Sequence, residues 1–396
     1  MKTHSKKLAL ALLALALAAS ARAQVNSGST GADGAFNPTT NTVINMADHP
    51  DGIYHYTSVN VPAGVTVKFI PNSNNSSVVW LVQGNCVVSG TISVSGGQVL
   101  TTGIPGEGGP GGYRGGNGGA FASNGQGPGG GASAPERGGS GSYASLGQTV
   151  FGHTNGAGAT YGNQFIVPLV GGSGGGGAAD GPGAGGGGGG ALMIVSSAEI
   201  QLMGGALLAE GGSPGNFANR FTGSGSVIGG YGSGGSVRLI ASRIFGTGAI
   251  LTTGRSDSAG LGRVRFDTPD NSFGGTVRGS SSQGFQPIIL PAAGQGVQLT
   301  VQSVSGVPVA TSPNGMQATP DVIIGGQQSN PVAIVVRCTN LPLGTPVTVT
   351  VKPANGASVS AVGYNNSGTL ASSTATVSLN MPRGGGLIYA TAATAP

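Results

Sequence analysis

The chain has 396 residues, of which 80 are glycine and only 7% are charged. Its formal net charge is +5, but four basic and no acidic residues fall within the first 23 positions. The rest of the chain therefore carries 13 basic and 12 acidic residues, a net charge of +1. This balance excludes nucleic-acid binding through a dense basic surface. The length exceeds the roughly 100–200 residues of a typical domain and predicts two domains.

Residues 1–23 have the pattern of a secretory signal peptide. Lysines stand at the start, an apolar run covers 8–19, and Ala21-Arg22-Ala23 is a small-residue cleavage pattern. We therefore expect an exported protein that begins at Gln24 and is located outside the cell or on the cell surface. No later stretch approaches the roughly 20 apolar residues that span a bilayer, so we expect no membrane span in the mature chain.

Three segments read as copies of one unit: 78–97, 191–212 and 236–254. Each alternates apolar and polar residues with a period of two, and each divides into three short strands separated by polar or glycine turns. Stacked units of about 20 residues predict the rungs of a short parallel β-helix, which we assign to residues 24–286. The residues predicted to point inward are Cys86, Val88, Ile92, Val94, Ile200, Leu202, Leu207, Ile244, Ile250, Val264 and Phe266.

Two further features complete this predicted domain. Residues 54–70 and 262–267 read as additional strands of the same stack. Residues 26–51 are expected to cap the first rung, because an uncovered strand edge invites pairing with other chains.

Glycine-rich insertions at 98–190 and 211–235 separate the copies. Between Gly103 and Gly190, 37 of 88 residues are glycine, and parts of this tract keep a period of three. That period is the number of residues per turn in the left-handed extended helix. A structureless loop of this length is uncommon in a compact domain. We expect an ordered, polyglycine II-like insertion; a mobile loop is the alternative.

The composition of the sequence changes after a linker that we place at 287–296. Glycine becomes less frequent, and the alternation of apolar and polar residues predicts short strands at 297–304, 332–338, 347–352, 358–363, 374–379 and 387–391. This spacing is typical of a small immunoglobulin-like or fibronectin-like β-sandwich, assigned to residues 297–396.

Cys86 and Cys338 fall in different predicted domains and read as two buried thiols; a bridge between the domains is the alternative. The predicted fold class is therefore all-β.

Several segments resemble a set of exported, glycine-rich proteins of environmental bacteria that have no assigned activity. The resemblance covers about residues 28–267. It is carried by GADGAFNPTTNTVIN (31–45), DGIYHYTSVNVPAGVTVKF (51–69), GTISVSGG (90–97), GGGGGGALMIVSS (185–197) and GSGGSVRLIA (232–241). The glycine tract is also similar in composition to the polyglycine bundles of some phage tail-tip adhesins, which are receptor-binding parts. Neither resemblance supplies catalytic residues.

The sequence offers no catalytic constellation. Polysaccharide lyases and hydrolases on β-helices need converging carboxylates, whereas here the acidic residues are scattered. The nearest pairs, Asp48 with Asp51 and Asp267 with Asp270, lie in predicted turns, where Asp normally bonds its own backbone. We therefore expect no catalytic residues.

The densest group of possible metal ligands lies near the start of the predicted β-helix. Asp48, His49, Asp51 and His55 match no standard zinc spacing, so we interpret them as part of a structural cap and expect no metal or cofactor.

Candidate binding residues fall into two groups. Alternation places Arg263, Arg265 and Asp267 on the outward face of one strand, and with Arg238 these arginines could bind anionic sugar or sulfate groups. The alternative is a solvated face paired with Asp257, Asp267 and Asp270. The glycine tract also carries aromatic residues that suit either contact with a sugar ring or receptor, or internal packing: Tyr113, Phe121, Tyr143, Phe151, Tyr161 and Phe165.

These observations favour an exported, non-catalytic protein of the cell surface, acting in adhesion or as an extracellular-matrix structural component. A carbohydrate-active enzyme built on a β-helix is the alternative. The expected partners are a polysaccharide, a cell-surface receptor or further copies of the chain.

Overall fold

The computed structural model describes residues 25–148, 156–218, 226–256, 258–284, 297–310, 313, 320–353, 357–384 and 386–392. Within these ranges the chain is all-β, as predicted, with two three-residue 3-10 helices, Met46–Asp48 and Gly119–Phe121, and no α-helix. No helix in the described part of the chain is long and apolar enough to cross a membrane. The predicted signal peptide and the predicted linker lie outside the described residues.

The first part of the chain forms parallel sheets. Its strands are β1 (Gly34–Phe36), β2 (Thr42–Asn45), β3 (Ile53–Val61), β4 (Thr66–Ile70), β5 (Val78–Val82), β6 (Cys86–Val88), β7 (Thr91–Ser93), β8 (Ala191–Ser196), β9 (Glu199–Leu202), β10 (Ala206–Leu208), β11 (Asn216–Ala218), β12 (Ser226–Ile228), β13 (Ser236–Ile240), β14 (Arg243–Gly246), β15 (Ala249–Leu251), β16 (Arg263–Asp267), β17 (Asn271–Phe273), β18 (Thr276–Arg278) and β19 (Ser280–Gly284). All pair in parallel except the β11–β12 hairpin.

Strands of successive units stack in register. β5, β8, β13, β16 and β19 form one ladder, β6, β9, β14 and β17 a second, and β4, β7, β10, β15 and β18 a third. The nine-residue strand β3 joins the first two ladders, because its first half pairs with β5 and its second half with β6. Equivalent residues therefore form columns, such as Cys86 beside Ile200 beside Ile244. We call these stacked units rungs, and together they form the parallel domain.

The eleven residues predicted to point inward all lie in one hydrophobic core, and none is more than 5% exposed. This confirms the prediction, because a strand period of two sends every second side chain to the same face. At the N-terminal end, β1 and β2 pair with β3 and β4. Phe36 packs against Trp80 there, with ring centroids 5.2 Å apart.

The outer face of the first ladder is also covered. Met193, Val195 and Ile240 point away from the core but are buried beneath Val25 and Leu169. Strand β8 is consequently buried on both faces, which explains why its first five residues, ALMIV, are an unbroken apolar run.

The described residues of 94–190 and 209–235, which we call the glycine bundle, are linked by backbone hydrogen bonds that repeat every three residues. Gly172 donates to the carbonyl of Gly189 (2.7 Å) and Gly175 to that of Gly186 (3.0 Å). The next amide, Gly176, donates to a different neighbour, Gly139 (2.8 Å). Residues 171–177 are bonded to 111–116, 123–131, 139, 186–189 and 230–233.

Only glycine fits these close approaches. A Cβ atom on Gly175 would collide with the carbonyl oxygen of Gly230, and one on Gly188 with that of Gly172. Because the colliding atoms are backbone, neither neighbour can rotate away.

The last part of the chain forms a seven-stranded antiparallel sheet with the order β21-β20-β22-β25-β24-β23-β26. The strands are β20 (Gln298–Val304), β21 (Val307–Pro308), β22 (Val332–Thr339), β23 (Pro346–Pro353), β24 (Val359–Gly368), β25 (Ser373–Leu379) and β26 (Gly386–Ala392). Six of them match the predicted strands; β24 runs five residues further than expected. Alternate residues such as Ile334, Val349 and Val377 form its core.

Cys86 and Cys338 are both buried and free, so the two domains are not joined by a disulfide. Burial raises the pKa of the Cys86 thiol to about 12. The seven-stranded sheet of β20–β26, which we call the antiparallel domain, instead contacts the glycine bundle through hydrogen bonds. Lys352 Nζ donates to the carbonyl of Gly130 (2.6 Å), and Asn124 Nδ2 donates to that of Pro353 (3.2 Å).

Candidate functional site

The predicted arginines lie on the outer face of β13 and β16, at the C-terminal end of the parallel domain. Arg238 and Arg265 are opposite each other in the ladder. Asp267 lies between their guanidinium groups: Arg238 Nε is 2.9 Å from Oδ2, and Arg265 Nη2 is 2.7 Å from Oδ1. We call these three residues and Arg263 the arginine cluster.

This cluster is not the exposed ladder that an open sugar-binding face requires. Arg238 is 1% exposed, Arg265 5% and Asp267 0%. Of the expected acidic partners, Asp267 is the one that pairs with these arginines, whereas Asp257 lies outside the described residues. The assignment of Arg238, Arg263 and Arg265 to an anionic sugar stays a prediction, and in this structure two of the three guanidinium groups are closed to solvent.

Residues 161–170, which we call the covering segment, close the face. Arg263 Nη2 donates to the carbonyl of Tyr161 (2.9 Å), and Arg265 Nη1 to that of Gln164 (3.5 Å). The ring of Phe165 lies 5.0 Å from the Arg265 guanidinium carbon. The arginines therefore hold part of the glycine tract against the parallel domain.

The three candidate tyrosines are mainly internal. Tyr143 is fully buried and donates to the carbonyl of Val170 (3.1 Å), while Tyr161 donates to that of Gly171 (2.6 Å). Their rings are 4.5 Å apart. Tyr113 is half-buried against Gly127. Burial raises the pKa of both Tyr113 and Tyr143 to about 12. These contacts correspond to the packing interpretation of the aromatic residues, and a ligand role stays a prediction.

Two of the predicted cap residues, His49 and His55, contact Asp33. His49 Nε2 lies 3.1 Å from Asp33 Oδ1, and the His55 amide donates to the other oxygen of the same carboxylate. Asp51 accepts the amide hydrogen of Ile53 (3.0 Å), a local turn contact. Within the described ranges, no three His, Cys, Asp or Glu side chains come together in a group that could hold a metal ion.

Neither of the candidate acids on the last rungs is available as a free carboxylate. Asp267 is held by two arginines, and Asp270 Oδ2 lies 3.3 Å from Arg243 Nε. Both acids are therefore engaged in ion pairs.

Three exposed apolar side chains lie in the glycine bundle. Leu100 is 82% exposed, Ile104 55% and Phe121 85%. The turns that carry them are joined, because Gly118 donates to the carbonyl of Gly103 (3.1 Å). We call Leu100, Ile104 and Phe121 the apolar tip. Phe121 is one of the aromatic residues that the sequence analysis names as a candidate, whereas Leu100 and Ile104 are not among its candidates. The signal that could identify them is an apolar residue close to a turn between two glycine runs.

An open cavity lies beside the last strands of the parallel domain. A cavity of about 300 Å³ is lined there by Phe266, Phe273, Val277, Asn271, Ser281 and Gln283. Residues 285–296, which follow β19 along the chain, lie outside the described residues.

No protein-family model, curated protein or solved structure matches this chain. The interpretation of its function therefore depends on the geometry described above.

Proposed function

We propose that this chain is an exported, non-catalytic protein of the bacterial cell surface that acts in adhesion, with the apolar tip as its contact surface. The observation that carries the proposal is the exposure of all three apolar side chains of this tip. Gly103 lies ten residues beyond Ser93, where β7 ends. At about 3.1 Å per residue in a three-residue extended helix, the chain between Ser93 and Gly103 can span at most about 30 Å.

The hydrogen-bond pattern of the glycine bundle favours a rigid base beneath that tip. We interpret the bundle as polyglycine II-like, the parallel domain as a short β-helix and the antiparallel domain as an immunoglobulin-like sandwich. In such a bundle each segment is bonded to neighbours in several directions, so the tip is held by many short contacts rather than by one loop. The likeness to exported glycine-rich bacterial proteins is part of the same proposal.

Exposed apolar side chains need a reason on the surface of an exported protein. Contiguous apolar patches on soluble proteins commonly mark interaction sites. Phe121 offers a flat ring for a sugar or a receptor, and Leu100 and Ile104 extend the apolar area beside it. The carbohydrate-active enzyme is the weaker candidate, because Asp267 and Asp270 are both engaged by arginines.

The test compares two triple variants on a panel of immobilised polysaccharides and bacterial cell surfaces. One replaces Leu100, Ile104 and Phe121 by Ser. The control replaces three exposed apolar residues of the antiparallel domain, Ile323, Val362 and Leu370, by Ser. Retention of the protein and the appearance of new polysaccharide chain ends are measured together.

We expect the purified wild-type protein and the control to be retained on at least one surface, and the tip variant to lose at least tenfold in retention. Equal retention of all three proteins would exclude the apolar tip as the contact. New chain ends would overturn the non-catalytic proposal. Absence of retention on every surface would overturn adhesion in favour of a structural matrix role.

A further inference from the structure

The buried part of the arginine cluster carries an unbalanced charge. Arg238 and Arg265 contribute two positive charges and Asp267 one negative charge, so three groups that are at most 5% exposed have a net charge of +1. An ion buried without compensation is strongly unfavourable, because the protein interior replaces little of its hydration energy. Within the described residues, Asp267 is the acid with which both arginines pair.

The hydrogen bonds of the cluster also lack negative partners, because it has more donors than acceptors. Arg238 Nε is used by Asp267, but Arg238 Nη2 is buried and has no hydrogen-bond partner in the part of the chain that the structure describes. Nε of Arg263, on the same outward face of β16, is likewise buried without a partner in that part. Guanidinium groups only donate, so the missing partners must be acceptors.

The surroundings limit the size of the acceptor. Met193 occupies the position beside Arg238 on β8, Arg265 the position on β16, and the covering segment lies above. A large carboxylate or sugar has no open route to Arg238 Nη2, which is closed to solvent. A monatomic anion supplies the missing charge, accepts from several donors and requires the least room.

We propose that the arginine cluster binds a single chloride ion at Arg238 Nη2. The ion balances the buried charge of +1 on the face that the covering segment closes. The proposal does not depend on the adhesive function, because it concerns how the glycine tract is held to the parallel domain.

The first experiment measures the melting temperature at constant ionic strength while gluconate is replaced by chloride. We expect a saturable rise on the order of 2–4 °C for the wild-type protein. Arg238→Met leaves one arginine paired with Asp267, a neutral pair, and should abolish the rise. Arg278→Met, which changes an exposed arginine on β18, should retain it. A wild-type protein that is indifferent to chloride, or an equal rise in Arg238→Met, would overturn the proposal.

The second experiment does not depend on the variant folding. Crystals of the wild-type protein are grown or soaked in bromide, and anomalous scattering is measured at the bromine edge. We expect a peak within about 3.5 Å of Arg238 Nη2, the range of a hydrogen bond to a halide. A water molecule or an empty position at Nη2, with no anomalous signal, would refute the chloride site.

Discussion

Asp267 is a single residue that offsets the repulsion between two arginines on neighbouring strands. The ladder register puts Arg238 opposite Arg265, and like charges directly opposite each other destabilise a sheet. Asp267 lies two residues along β16 on the same outward face, and its two carboxylate oxygens each accept from one arginine. The carboxylate thereby turns a repulsive pair into a connected group.

We expect Asp267→Asn to lower the free energy of unfolding by about 3–5 kcal/mol, because it leaves two buried guanidinium groups without their counter-charge. Urea unfolding at pH 7 measures the change. Asp270→Asn is the matched control: Asp270 is 39% exposed in its side chain and pairs with a partly exposed arginine, so its loss should cost at most about 1 kcal/mol. A similar cost for both variants would contradict the assigned role of Asp267.

At the scale of elements, the glycine segments differ from strands in where their hydrogen bonds go. A strand bonds to neighbours in one plane, whereas residues 171–177 bond to segments on several sides. Their backbones approach so closely that side chains would separate them. The glycine content of the tract is therefore a packing requirement at the centre of the bundle and not a sign of flexibility there.

This packing predicts a sharp difference between two glycine substitutions. Gly175→Ala should destabilise the protein by roughly 2–4 kcal/mol, since its Cβ meets the carbonyl oxygen of Gly230. Gly325→Ala is the control, because a Cβ at Gly325 meets open space. It should be neutral or stabilise by up to about 1 kcal/mol. Thermal and denaturant unfolding measure both; a neutral Gly175→Ala would show that residues 171–177 are not closely packed.

At the scale of the whole molecule, the antiparallel domain is joined to the glycine bundle by a small polar contact. Lys352 lies at the end of β23, and burial lowers its pKa from 10.5 to about 8. The contact with Gly130 therefore holds an ammonium group in a place that disfavours its charge. This lowered pKa makes the stability of the folded protein depend on pH.

We expect the free energy of unfolding to rise with pH between about 8 and 9.5. In that window the folded protein has released the Lys352 proton while the unfolded chain still binds it, so stability increases by up to about 1 kcal/mol per pH unit. Above pH 10 the trend should reverse, because the raised pKa of Tyr113 keeps that phenol neutral only in the folded state.

Lys352→Met should remove the rise between pH 8 and 9.5, whereas Lys68→Met, at an exposed site in the parallel domain, should keep it. Urea midpoints at several pH values in this window measure the effect. The same pH profile in wild type and Lys352→Met would contradict a buried ammonium at the junction.

The sequence alone determined the features that depend on near neighbours. Alternation with a period of two identified eleven inward residues of the parallel domain and most strands of the antiparallel domain, because the direction of a side chain follows from its own strand. The three-residue glycine period agrees with the three-residue repeat of the backbone hydrogen bonds. Alternation also put Arg263, Arg265 and Asp267 on the outward face.

Only the tertiary structure decided which outward faces are buried. Arg263 contacts Tyr161 across 102 positions of sequence, and Lys352 contacts Gly130 across 222. Such contacts form because the glycine tract folds back on the parallel domain, and no local pattern encodes where it returns. For the same reason the arginines are enclosed rather than exposed, and Leu100 and Ile104 form an exposed tip with Phe121. Local periodicity fixes the direction of a side chain, whereas burial depends on distant segments that come to lie over it.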